Sequence, residues 1–226
     1  MILNIDIVIP ALNEAQAIPL VLGEIPTWVH QIVVVDNGST DGTGEIAANA
    51  GAQVVREEHR GYGYACLAGI AALHAPDVVV FLDGDHSDYP AEMEHLIVPI
   101  AAGQADLVIG SRLAGKLQPG AILWHAQLGN RLFSWMIRER TGCQVTDIGP
   151  FRAITWDCLN ALELKEGRYG WTIEMMLKAA NRGFRMVEVP VSYRPRLGQS
   201  KVSGSLSASL KASLVMLATV VRYASG

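Results

Sequence analysis

Basic charge is in short supply in this 226-residue sequence: 18 lysines and arginines face 22 acidic residues, for a formal net charge of −4. A general nucleic-acid binder needs a basic excess to neutralise phosphates, so that class is disfavoured. Cysteine is scarcer still, with Cys66, Cys143 and Cys158 far apart in the chain. An odd count with no Cys-x-x-Cys spacing argues against a disulfide framework and a thiolate zinc site, and fits idle thiols in a reducing compartment. No apolar run approaches the ~20 residues that cross a bilayer. Nothing at the start reads as a secretory leader, because Asn4 and Asp6 interrupt the first apolar run and no basic flank precedes it. Internal repeats and low-complexity linkers are also missing, and no Gly-x-Gly-x-x-Gly follows the first apolar run, which disfavours a dinucleotide site.

What is present is core. Half of the residues are hydrophobic, enough for one sizeable domain. The first two-thirds alternates β-branched runs with helical segments. Strands are expected at Ile5–Ile9, Gln31–Asp36, Ala52–Arg56, Asp77–Asp83 and Asp106–Gly110. Helices are expected at Ala15–Glu24, Gly42–Gly51, Tyr64–His74 and Ala91–Ala102. Nearly continuous Val/Ile runs separated by helices predict parallel strands covered on both faces, an α/β doubly wound sheet. The last third predicts helices at Leu128–Thr141 and Trp171–Arg182, with an edge strand at Met186–Tyr193 that Pro190 favours. A final helix aligns Leu206, Leu210, Leu214, Leu217 and Val221 on one stripe. The expected organisation is a catalytic domain over 1–204 and an apolar helix over 205–226.

Acids at strand ends carry the chemistry. Asp36 closes one buried strand and precedes Asn-Gly-Ser-Thr-Asp-Gly-Thr; Asp83 closes another and precedes Gly84 and Asp85, with Asp88 beyond. Carboxylates at the carboxyl ends of strands in an open α/β sheet face the ligand crevice. Two of them one residue apart can converge on a hard cation such as Mg²⁺, and Gly84 leaves room for a substrate. Ordinary turn chemistry would also account for each motif taken alone. Beyond Pro190, Arg194, Arg196 and Lys201 bring three cations to one segment, with Ser200 as a hydroxyl donor. Guanidinium groups recognise phosphate oxygens bidentately, although a solvated loop has the same composition. Glu174 falls off the Ile173, Met176, Leu177, Ala180 stripe and is expected at the surface or on an acceptor side. His59, His86 and His125 form no metal spacing, and only His86 lies in a site motif, as lining.

In combination these segments are far more specific. IVIPALNE (Ile7 to Glu14), VVVDNGSTDGT (Val33 to Thr43) and FLDGDHSD (Phe81 to Asp88), in that order, resemble the family 2 glycosyltransferases of GT-A fold, a Rossmann-like, mostly parallel sheet with helices on both faces. The nearest resemblance is to the dolichyl-phosphate mannose synthase-like branch, with GSRL (Gly110 to Leu113), TDIGPFRAI (Thr146 to Ile154) and VEVPVSYRPRLGQSKVSG (Val187 to Gly204) agreeing. The resemblance runs from about Ile5 to about Gly204.

The resemblance implies roles. Pro10, Leu12, Asn13 and Glu14 would border the nucleobase and ribose, and Asp36 would hydrogen-bond one of them. Gly61 and Gly63 would let the backbone pass near the nucleotide. Asp83 would lie by the ribose and metal, and Asp85 would be the principal ligand of Mg²⁺ or Mn²⁺. Ser87 stands where this branch often carries a Gln ligand, and its short side chain leaves that place to water. Arg112 would touch donor or acceptor phosphate. Asp147 would sit near the acceptor as a base or a metal ligand. Arg194, Arg196, Ser200 and Lys201 would fold over the diphosphate and the acceptor.

The implied reaction is an inverting, metal-dependent transfer of a hexose from a nucleotide sugar, of the GDP-mannose or UDP-glucose type, to a polyprenyl or dolichyl phosphate. Two alternatives stand beside it: transfer to a small soluble hydroxyl acceptor, and a non-catalytic nucleotide-sugar-binding subunit. A phosphate acceptor, with a second pKa of about 6, needs no dedicated base, whereas a hydroxyl does. The expected location is cytoplasmic, with the inner face of the membrane as the place of a peripheral association. The terminal helix could equally pack on the core, a second copy or the membrane; Ser205, Ser207, Ser209 and Lys211 give it little basic charge.

Overall fold

The computed structural model describes residues 3–198 and 206–223, with nothing said of the side chains of 206–209. Ser200 and Lys201 therefore lie outside the described residues. A seven-stranded sheet runs in the order β3-β2-β1-β4-β6-β5-β7. Its strands are β1 (Ile5–Ala11), β2 (Gln31–Asp36), β3 (Gln53–Arg56), β4 (Val78–Phe81), β5 (Leu107–Ser111), β6 (Arg152–Thr155) and β7 (Met186–Pro190). All pairings are parallel except those of β6, which runs antiparallel to both β4 and β5. The α/β, mostly parallel expectation holds. β7 takes the edge that Pro190 permits, since proline cannot donate to a further ladder.

Alternation along β1 explains the two layers. Ile5, Ile7 and Ile9 point to one face, where they meet Ile18 and Val21 of α1 (Ile18–Glu24) and Leu96 and Ile100 of α4 (Met93–Ala101). Val8 points to the other, against Ala65 and Cys66 of α3 (Tyr62–Ala71) and the side carrying α5 (Trp124–Thr141) and α7 (Trp171–Asn181). On the first face Ala47 of α2 (Thr43–Asn49) completes the layer. The chain runs outward from β1 through β2 to β3, then returns to place β4 on the other side of β1. This reversal opens a crevice beyond the carboxyl ends of β1 and β4.

Two elements depart from expectation. The first is a four-residue strand, β6, where no strand is expected; its last residue, Thr155, caps the following helix α6 (Trp156–Leu162) by accepting from the Cys158 N–H. The second is α8 (Leu206–Tyr223), which packs against α5 and α7. It buries Ala212, Thr219 and Val220, while Leu210, Leu214, Leu217 and Val221 of the leucine stripe are exposed. The apolar stripe thus faces away from the core, because small side chains let α8 approach α5 and α7 closely on its other side. No helix among the described residues is long and apolar enough to cross a membrane.

Candidate active site

β4 ends at Phe81, and after Leu82 the Asp83-Gly84-Asp85 turn follows at the crevice. The Asp85 carboxylate is buried; Oδ1 accepts from the Ser87 N–H at 2.9 Å and from the Ser87 hydroxyl. Ser87 is therefore a brace for Asp85. The other oxygen, Oδ2, lies 3.1 Å from the Arg196 guanidinium, which also donates to Glu14 Oε1 at 3.0 Å. Burial, with the repulsion of Asp85 behind it, pushes the Asp83 carboxyl up to about 7. Asp88 is buried nearby, with no hydrogen-bond partner for either oxygen among the described residues, and burial together with Asp83 and Asp85 raises it well above the usual range. No group of three or more His, Cys, Asp or Glu among the described residues is arranged to hold a metal ion. Asp83 and Asp85 are nonetheless hard oxygen donors, and Asp85 already holds a cationic head, that of Arg196, so a divalent cation with water and phosphate oxygens completing its shell fits there.

A cavity of about 400 Å³ opens on one side of this turn, lined by Pro10, Leu12, Glu14, Gly84 and Asn37. Asp36 and Asn13 do not line it. Asp36 Oδ1 accepts from the Ser39 N–H, and Asn13 Oδ1 accepts from the Thr40 N–H, so both fold the turn after β2. Asn37 holds the opposite wall, donating to the Glu57 and His59 carbonyls and accepting from the Gly61 N–H.

Gly61 lines this cavity, and a close chain crossing gives both Gly61 and Gly63 a further reason to be glycine. A Cβ on Gly63 would sit 2.1 Å from the Glu166 carbonyl oxygen, and one on Gly61 2.2 Å from that of Gly167. The crossing segment is the chain between α6 and α7, which accepts from the Gly63 and Tyr64 N–H groups at the start of α3. Glu174 secures it. Expected at the surface, Glu174 is fully buried on α7, accepts from the Lys165 and Glu166 N–H groups and pairs with Lys178 at 2.7 Å. Burial raises its carboxyl, and Lys178 and the two N–H groups outweigh that and hold it below its usual range. The anchored segment carries Arg168 and Tyr169 into the first cavity, beside Arg60. Nothing in the sequence motifs singles out these three residues.

A second cavity of about 530 Å³ shares Tyr62, Asp83, Asp85, Tyr169 and Arg196 with the first, and extends between α5 and α8. Its far wall is apolar, with Leu123 just before α5, Ala126 and Phe133 on it, and Ala212 and Met216 on α8. Arg112 lines the inner end. Its Nε and Nη2 donate to the two oxygens of Asp147 at 2.8 and 2.6 Å, its backbone N–H donates at 2.8 Å, and the guanidinium lies over the Tyr193 ring. Burial pushes the Asp147 carboxyl up, and Arg112 more than reverses this, holding it below the usual range. Glu188 on β7 accepts from the Thr146 and Asp147 N–H groups and fixes the segment. A carboxylate saturated in this way is a poor proton acceptor, which corrects the expectation of a base at Asp147. Two buried nitrogens in the second cavity, His125 Nε2 and Arg196 Nε, have no hydrogen-bond partner among the described residues.

Of the two described cations of the basic segment, Arg194 and Arg196, only Arg196 enters the cavities. Arg194 turns to the rim, donating to the His86 carbonyl at 2.6 Å and to Glu24 at 2.6 Å, and stacks on Tyr89. His86 is drawn outward with it, its Nε2 2.9 Å from Glu24, and does not line the site.

The family model of glycosyl transferase family 2 matches residues 6–155. An uncharacterised glycosyltransferase of Mycobacterium tuberculosis strain H37Rv is 41% identical over 213 residues, covering 93% of this chain and 94% of the relative. The undecaprenyl-phosphate mannosyltransferase of Micrococcus luteus is 34% identical, covering 88% and 87%. The polyprenol monophosphomannose synthase of Mycolicibacterium smegmatis is 35% identical, covering 88% and 81%. In fold, the chain is similar to the glucosyl-3-phosphoglycerate synthase of Mycobacterium tuberculosis crystallised with Mn²⁺, UDP-glucose and phosphoglyceric acid, with a TM-score of 0.81 and 24% identity over 98% of this chain and 80% of that one. The chain belongs to glycosyl transferase family 2 and is a glycosyltransferase of its dolichyl-phosphate mannose synthase-like branch.

Proposed function

We propose that this enzyme transfers a hexose, with inversion, from a nucleoside diphosphate hexose to a polyprenyl phosphate at the cytoplasmic face of a membrane. The observation that carries this reading is the second cavity. It joins the first at Asp83 and Asp85, begins at Arg112 and His125, and ends in an apolar cleft between α5 and α8. A phosphate head and an isoprenoid tail have that same order of polarity. Relatives named for undecaprenyl phosphate and polyprenol support the same acceptor class.

In this reading the nucleotide occupies the first cavity against Pro10, Leu12 and Asn37, and its diphosphate lies over Asp85. Asp83 and Asp85 would hold Mg²⁺ or Mn²⁺, which neutralises charge on the leaving diphosphate. Arg196, released from Asp85, turns its guanidinium to the phosphates, and Ser200 and Lys201 follow it in sequence. Asp147 acts through Arg112 as a positioning residue, so that Arg112 meets the acceptor phosphate with its charge in place. The acceptor is dianionic above a pKa of about 6 and attacks without a base. Ala212, Ser213 and Met216 of α8 close the outer wall of the acceptor cleft.

The test is a transfer assay with Mg²⁺ or Mn²⁺, labelled GDP-mannose and UDP-glucose, and either a short polyprenyl phosphate or phosphoglyceric acid. Label entering the organic phase from one donor is expected; label only in water-soluble product would overturn the reading.

A further inference from the structure

Two helices of this molecule have an apolar face on each side. On α5, Phe133 and Ile137 enter the core, yet Trp124, Leu128, Leu132 and Trp135 on the other side are exposed, Trp124 by 75%. At 100° per residue those four fall within an arc of about 80°. On α8, Ala212 and Thr219 enter the core, while Leu210, Leu214, Leu217 and Val221 form an exposed arc of about 60° on the opposite side. The two helices pack on one another, and the acceptor cleft opens between them.

We infer that the outer faces of α5 and α8 form one docking surface for an anionic lipid bilayer, which seats the mouth of the cleft on the hydrocarbon. The inference rests on the polyprenyl-phosphate reading for its purpose and on three separate observations for its occupant. Continuity is the first: Leu123 is both exposed beside Trp124 and part of the cleft wall. A tail leaving the cleft would meet the bilayer there without crossing water. The second is the pair of exposed indoles, whose amphipathic rings partition to the headgroup level of a membrane.

The third is charge. The whole chain has a net charge of −4, but α5 and α8 together carry five basic residues (Arg131, Arg138, Arg140, Lys211 and Arg222) and one acid, Glu139. Cations flanking an apolar stripe suit anionic headgroups. The same excess opposes a second copy of this chain as occupant, because a two-fold interface would bring the basic flanks against each other.

The test is co-sedimentation with phosphatidylcholine vesicles, with and without phosphatidylglycerol. It compares the wild-type protein with a variant carrying Trp124→Ser, Trp135→Ser, Leu214→Ser and Leu217→Ser. None of these four side chains lines either cavity. Wild type should bind the phosphatidylglycerol vesicles with a blue shift of indole fluorescence, and the variant should bind at least about tenfold more weakly, since each removes apolar area. Circular dichroism and transfer to a short, water-soluble polyprenyl phosphate should be the same for both. Wild type left in the supernatant, or equal binding by the variant, would overturn the docking surface. So would a wild-type dimer in equilibrium sedimentation that the variant abolishes. Vesicle binding without any transfer to the soluble polyprenyl phosphate would instead overturn the acceptor reading and leave the docking surface standing.

Discussion

The donor side and the acceptor side of this site are built by different means. On the donor side the acids stand at or just beyond strand ends, and neighbours a few residues away brace them: Ser87 braces Asp85 in the cavity wall, and Ser39 braces Asp36 in the turn behind it. Around the second cavity partners come from far along the chain. Arg112 meets Asp147 thirty-five residues on and Glu188 holds Asp147 from forty-one, while Arg196, shared by both cavities, meets Glu14 of the first across 182. The donor half can therefore be shared among enzymes with different acceptors, while the acceptor half depends on how the last third of the chain folds against the first.

The strongest test of this division removes the donor-side acid. Asp85→Ala should lower turnover by at least about 1,000-fold, the scale of losing transition-state charge stabilisation, with an unchanged circular dichroism spectrum. Mn²⁺ binding followed by electron paramagnetic resonance should disappear with it. Wild-type turnover in that variant would break the assignment.

On the acceptor side the largest effect should be on stability. Asp147→Ala leaves the Arg112 guanidinium buried without its partner, and a loss of about 3–5 kcal/mol in urea unfolding is expected. Replacing both, as Arg112→Met with Asp147→Leu, should restore stability without restoring turnover. The pH dependence has a definite sign. The Asp147 carboxyl lies below its ordinary value of 3.8 in the folded protein, so its contribution is complete above that value. It is lost as pH falls through the lower folded pKa, and the gap between wild type and Asp147→Ala should close only in acid. A gap that closes near neutral pH would mean that the ion pair does not hold Asp147.

Where the halves join, Gly63→Ala should cost about 1–3 kcal/mol, because the added methyl group meets the Glu166 carbonyl. Thermal unfolding reads this directly, and an unchanged melting temperature would show that the 163–170 segment is not seated on α3. The smallest effect belongs to His125→Ala. It should raise KM for the acceptor about tenfold, the value of one hydrogen bond to a charged group, and leave KM for the donor unchanged. A shift in the donor constant alone would put His125 on the wrong side of the division.

The same division explains what could be read from residues alone. β1, β2 and β4 are apolar runs that end in or just before the site, so their positions and the Asp83-Gly84-Asp85 turn were legible. β6 was not: Arg-Ala-Ile-Thr is four residues long and begins with a buried arginine, which resembles no central strand until its guanidinium is seen bound to the Ile148, Gly149 and Pro150 carbonyls. Gly61 and Gly63 were visible as glycines whose reason, a segment a hundred residues away, was not. Glu174 read as a surface acid because helical periodicity places it off the apolar stripe, yet α7 is buried nearly all round. For α8 the stripe was legible and its direction was not, since only the packing of Ala212 and Thr219 shows which side faces inward.

In the proposed reaction the cleft between α5 and α8 takes the acceptor's tail. The most direct test is kcat/KM for a series of polyprenyl phosphates of increasing length, in wild type and in Gly129→Leu. Gly129 lines the cleft and has open space where a side chain would start. In wild type kcat/KM should rise with tail length, and in Gly129→Leu it should be flat while donor binding persists. A wild-type kcat/KM that ignores the tail, or that favours phosphoglyceric acid over every member of the series, would contradict the account.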